Sequence, residues 1–103
     1  MSMREEIRRL VSLGPLPASA NADEGGLKAY EDLLKQISPP VTDEEARALI
    51  GLFGPDDCYG LAWTLLHLIE TAPDWPIKEA LPRGAQNEWV RRLRERAERG
   101  GLL

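Results

Sequence analysis

Within the stretch GPDDCYGLAWTLLHLIETAP, residues 54 to 73, four residues capable of chemistry interrupt an otherwise apolar run: Tyr59, Trp63, His67 and Glu70. Their spacings of four, four and three put them along one side of an α-helix, in which successive residues advance by about 100°. The acids Asp56 and Asp57 stand just ahead of them. Three chemistries compete for such a stripe. Packed under another helix, it is core, with its polar ends bonded to each other or to backbone. Exposed, it is a contact patch, because Tyr and Trp combine large apolar area with few rotors and are enriched where partners dock. As a metal or acid–base site it would use His67 and Glu70, since an i, i+3 spacing brings imidazole and carboxylate together on one helix.

The third chemistry is short of ligands. Zinc takes three or four protein ligands, and His67 is the only histidine. The only cysteine, Cys58, precedes His67 by nine residues, which is about 13 Å along a continuous helix. No metal and no cofactor are expected. Cys58 follows two aspartates, which disfavour the thiolate a nucleophile would need, so it reads as a structural residue. The glycines of EGGLK and RGG lack phosphate-loop spacing. Asp43, Glu44, Glu45, Asp56 and Asp57 all fall in expected first turns of helices, where negative charge complements the dipole, and no catalytic carboxylate pair is needed to explain them.

The elements that position these residues are all helical. Ser2 and Glu5 form an S-x-x-E capping box ahead of Met3, Ile7, Leu10 and Val11, and Gly14-Pro15 ends that run. PLPASANADEGG follows, giving a linker over 14–23 with little to pack. Leu27, Tyr30, Leu33, Leu34 and Ile37 share the face of a second helix, closed by Ser38-Pro39-Pro40. Thr42 and Glu45 make another capping box, and Ala46, Leu49, Ile50 and Phe53 recur at helical spacing before Gly54. Asp56 is the expected N-cap of the next helix. Trp89, Val90, Leu93 and Ala97 give the last helix its buried stripe, with Asn87 capping it and Gly100 ending it. Period-two runs are absent, so the fold class is all-α: a small helical bundle with helices near 2–13, 24–37, 43–53, 57–72 and 87–99, in one domain over 1–103. The short connection in ALIGLFGPDDCYGLAWTLLHLIETA resembles the helix-turn-helix unit of HEAT-like repeats, over about 30 residues within 43–72. That resemblance implies partner binding rather than catalysis. No second copy at the repeat period is evident.

Charge is distributed unevenly. Residues 10 to 80 hold twelve acids against four bases, whereas residues 81 to 103 carry six arginines against three glutamates; the chain totals −4. The arginine helix is expected to neutralise itself through Glu88–Arg92 and Glu95–Arg99 pairs. With only Trp89 nearby, no nucleic-acid role is expected. The start MSMREEIRRL has acids where a signal peptide needs apolar residues, and no run approaches the ~20 residues of a membrane span, so a cytoplasmic place and no membrane contact are expected. The functional expectation is a small interaction protein, an inhibitor, immunity-type or adaptor protein, whose acidic, aromatic-bearing surface (Asp56, Asp57, Tyr59, Trp63, His67, Glu70) meets a basic protein partner; self-association stays open. The alternative is a small enzyme or ligand-binding domain with a pocket around His67 and Glu70.

Overall fold

The computed structural model describes residues 3–103. Five α-helices follow one another: α1 (Glu5–Leu13), α2 (Glu24–Gln36), α3 (Asp43–Ile50), α4 (Leu61–Ile69) and α5 (Glu88–Arg99), with 3-10 turns at Ser19–Asn21 and Lys78–Ala80. No strand occurs among the described residues, in keeping with the helical periodicity. α4 is the centre of the bundle. α2, α3 and α5 all pack on it, which is why Ala62, Leu65, Leu66, Leu68 and Ile69 are all buried. α1 closes the other side by packing on α2 and α3.

The helix starts follow from capping chemistry. The Asp23 carboxylate accepts from the Gly26 N–H at 2.7 Å. The Thr42 hydroxyl accepts from the Glu45 N–H at 3.1 Å while Glu45 Oε1 accepts from the Thr42 N–H at 2.9 Å, the reciprocal box read from the sequence. Asn87 Oδ1 accepts from the N–H groups of Trp89 and Val90.

Glu45 does more than cap. It is 1% exposed and is clasped from across the bundle by Arg4, whose Nε and Nη2 donate to its two carboxylate oxygens at 2.9 and 3.0 Å. The Arg4 backbone N–H adds a third bond at 3.1 Å, and Nη1 and Nη2 donate to the Ser38 and Pro40 carbonyls. Burial pushes the carboxyl pKa up, but the bonds from Arg4 and Thr42 and the Arg4 charge outweigh it and bring the value down to about 2. Arg4, not Ser2, stands at the cap position of α1. Ser2 itself lies outside the described residues, and the helix begins at Glu5 rather than at residue 2.

Two further boundaries differ from expectation. α3 stops at Ile50 with Gly51 as its C-cap rather than at Phe53, and α4 spans 61–69 rather than 57–72. The connection is therefore the ten residues 51–60, not a tight turn, and the HEAT-like resemblance fails on the feature that suggested it. The cause is local. Cys58 and Tyr59 have φ of 46° and 55°, followed by Gly60 at 89°, and consecutive left-handed residues cannot belong to a right-handed helix. The 14–23 segment is also not a loose linker. Leu16 is buried and its N–H donates to the Leu52 carbonyl at 2.9 Å. Gly54 lies so close that a Cβ there would overlap the Leu16 carbonyl.

Candidate functional site

The loop 51–60 is fixed from both sides, and this fixes the entry to α4. On one side Asp56 accepts from the Ser19 N–H at 3.0 Å and from the Ser19 hydroxyl at 3.0 Å, and also from the Cys58 N–H at 2.9 Å. On the other, the Asn87 side-chain amide donates to the carbonyls of Phe53 and Gly54, so the cap of α5 doubles as an anchor for this loop. Asp56 is thus a tie between loop and linker and not the N-cap of α4, a position held by Gly60. The hydrogen bonds from the Ser19 and Cys58 amides hold its carboxyl below the usual range. Cys58 is buried as expected of a structural cysteine, and that burial, with Asp56 and Asp57 nearby, raises its thiol pKa.

Beyond the loop, the stripe opens onto α5. Tyr59 is 69% exposed and its hydroxyl donates to the Ser19 carbonyl at 3.2 Å. Trp63 is 37% exposed: its inner side meets Trp89 edge-to-face, with centroids 5.0 Å apart and ring planes at 90°. Trp89 is itself stacked against Phe53 at 6.0 Å. The Arg92 guanidinium lies 5.1 Å from the Trp63 ring centroid and 4.7 Å from that of Trp89. Two aromatic rings and a cation therefore form one cluster, with each contact of a kind worth about 0.5–1.5 kcal/mol beyond burial. His67 follows Trp63 at 6.3 Å between rings and is exposed.

Glu70 is the point at which α4 and α5 are joined. Arg96 Nε and Nη2 donate to its two oxygens at 2.7 and 2.9 Å, and this bidentate bond raises the Arg96 pKa. His67 Nδ1 is 3.7 Å from the same carboxylate, within ion-pair distance but beyond a direct hydrogen bond. Among the described residues no group of three or more His, Cys, Asp or Glu could hold a metal ion.

The six residues singled out from the sequence therefore separate. Trp63, His67 and Glu70 share the α4 face beside α5. Tyr59 lies at its entrance, bonded to the linker, and Asp56 is turned inward to Ser19, leaving Asp57 as the exposed acid. Exposure along the stripe is mixed: Trp63 packs its inner side against Trp89 while Tyr59 and His67 remain open. The border of the face is arginine rather than acid. Arg92 and Arg96 were outside the expected site because their contacts to residues 63 and 70 are tertiary, with no local spacing to signal them. Trp89 was read as core, and it is. The charge pattern on α5 also departs from expectation: Glu88–Arg92 forms at 3.3 Å, but the second i, i+4 pair is Arg94–Glu98 at 3.3 Å. Among the described residues no carboxylate lies within ion-pair distance of Arg91 or Arg99.

Among the described residues no helix is long and apolar enough to cross a membrane. In comparisons with known proteins, the chain matches no family model, no curated protein and no solved structure.

Proposed function

We propose that this chain is a small cytoplasmic interaction protein of the inhibitor, immunity or adaptor type, docking a protein partner over the α4–α5 face centred on Trp63. The observation that carries the reading is the state of Trp63 itself. It is held on its inner side by Trp89 and Arg92 while 37% of its surface stays open between exposed Tyr59 and His67. A large aromatic surface fixed before contact loses little conformational entropy on binding, and aromatic and arginine side chains are the residues that most often dominate binding energy. Asp56 and Glu70 position this face rather than contact the partner, since both carboxylates are already engaged within the fold.

The test is affinity capture from the native cell with the full chain and with Trp63→Ala and Tyr59→Ala, each first checked for a cooperative melt. A protein retained by the parent chain and lost with both folded variants supports the reading. Retention of the same protein by both variants contradicts it.

A further inference from the structure

We infer that the partner surface covering the α4–α5 face is acidic, a protein segment whose spaced carboxylates reach the guanidinium groups of α5. This rests on the docking reading above and names its chemistry. Along α5 a shallow recess is lined by Glu88, Arg91, Arg92, Glu95, Arg96 and Arg99, four guanidinium groups against two carboxylates, with Arg92 and Arg96 at the border with α4. This is the basic pole of a chain whose total is −4.

The charges there are incompletely matched within the fold. Arg92 reaches Glu88 and Arg96 reaches Glu70, whereas Arg91 bonds only the Ala85 carbonyl among the described residues, and Arg99 pairs with no carboxylate there. The face also carries its own example of the contact proposed. Glu70 on Arg96, at 2.7 and 2.9 Å, is the bidentate carboxylate–guanidinium geometry that a partner's Asp or Glu would repeat at Arg99, about one turn further along α5.

A nucleic-acid strand fits less well. Glu88, Glu95 and Glu98 interrupt the arginines and repel a continuous phosphate backbone, and one face of the Trp63 ring is taken by Arg92, where a base would have to stack. Spaced carboxylates avoid both conflicts, because each can settle on an arginine between the glutamates. An acidic occupant is also the reverse of what the acidic middle of the sequence suggests.

The experiment measures fluorescence anisotropy of three labelled probes with the full chain: a peptide of glutamate and glycine around a central leucine, the same peptide with lysine for glutamate, and an oligothymidylate of equal charge. The glutamate peptide should bind most tightly, and its affinity should fall about tenfold or more as salt rises from about 0.05 to about 0.3 M. The double variant Arg91→Glu, Arg99→Glu should lower that affinity by about tenfold or more while keeping its helical circular dichroism, because neither side chain has a carboxylate partner in the fold. Tighter binding of the lysine peptide or the oligothymidylate overturns the inference, as does no binding of the glutamate peptide at millimolar concentration or an unchanged affinity in the variant. Should Trp63-dependent capture persist while the acidic preference fails, the docking reading stands and this inference falls alone.

Discussion

Removing the charge from Glu45 should cost the protein stability near neutral pH and leave the remaining stability less sensitive to acid. The carboxyl has an ordinary value of 4.5 and about 2 in the folded chain, because the bonds from Arg4 and Thr42 and the Arg4 charge exceed the burial penalty. A folded value below the unfolded one contributes stability that is fully present above the unfolded pKa and lost as pH falls through the folded one. The window is therefore pH 4.5 to about 2. At 1.36 kcal/mol per unit, the contribution is about 3 kcal/mol, a large share of a small domain's stability. Urea unfolding of the parent and of Glu45→Gln across this window isolates the effect, since every other carboxylate is common to both chains. Glutamine keeps an oxygen for the Thr42 N–H, so the cap survives while the ionisation is removed. The stability difference between the two chains should be largest near neutrality and shrink by about 3 kcal/mol toward pH 2. A difference that stays constant with pH would refute the clasp as an electrostatic device and reduce it to packing.

Leu65→Ala should lose about 2–5 kcal/mol, because Leu65 is buried at the centre of α4, and Trp63→Ala clearly less; equal losses in urea melts would place Trp63 in the core. Asp56→Ala removes the bonds from Ser19 and Cys58 and should cost about 1–3 kcal/mol. It should also speed proteolytic cutting within residues 14–23, and an unchanged cutting rate would show that Asp56 does not hold that segment. Cys58, buried with its thiol pKa raised by burial and by Asp56 and Asp57, should react with a thiol reagent only as fast as the chain opens. Labelling as fast in buffer as in denaturant would contradict this burial.

Helix class and most boundaries were legible because they depend on neighbours in sequence: the Thr42–Glu45 box, the Asn87 cap and the stripe Trp89, Leu93, Ala97 each need only residues within one or two turns. Phe53 was likewise legible on the apolar face shared with Ala46, Leu49 and Ile50 and is buried, although it follows α3 rather than ending it. The errors lie where a local signal had a distant competitor. Proline followed by two acids reads as a helix start, but Ser19, 37 residues earlier, takes the Asp56 carboxylate, and the left-handed turn at Cys58 and Tyr59 delays α4 to Leu61. Glu45 read as a first-turn acid, and only its contact with Arg4, 41 residues away, shows it to be buried and ionised. The aromatic stripe was visible as a stripe. That arginines rather than acids border it depends on how α5 lies against α4, which no spacing within either helix encodes.

The central claim, that partners dock on the α4–α5 face, is tested most directly by hydroxyl-radical footprinting of the full chain alone and with its captured partner. Tyr59, Trp63 and His67 are all exposed and all readily oxidised, whereas the exposed Val11 and Leu13 on α1 serve as a control away from α4 and α5. The account predicts strong protection of Tyr59, Trp63 and His67 in the complex, with Val11 and Leu13 oxidised as before. Protection of Val11 and Leu13 with the three stripe residues unchanged would move the docking surface to α1 and contradict it.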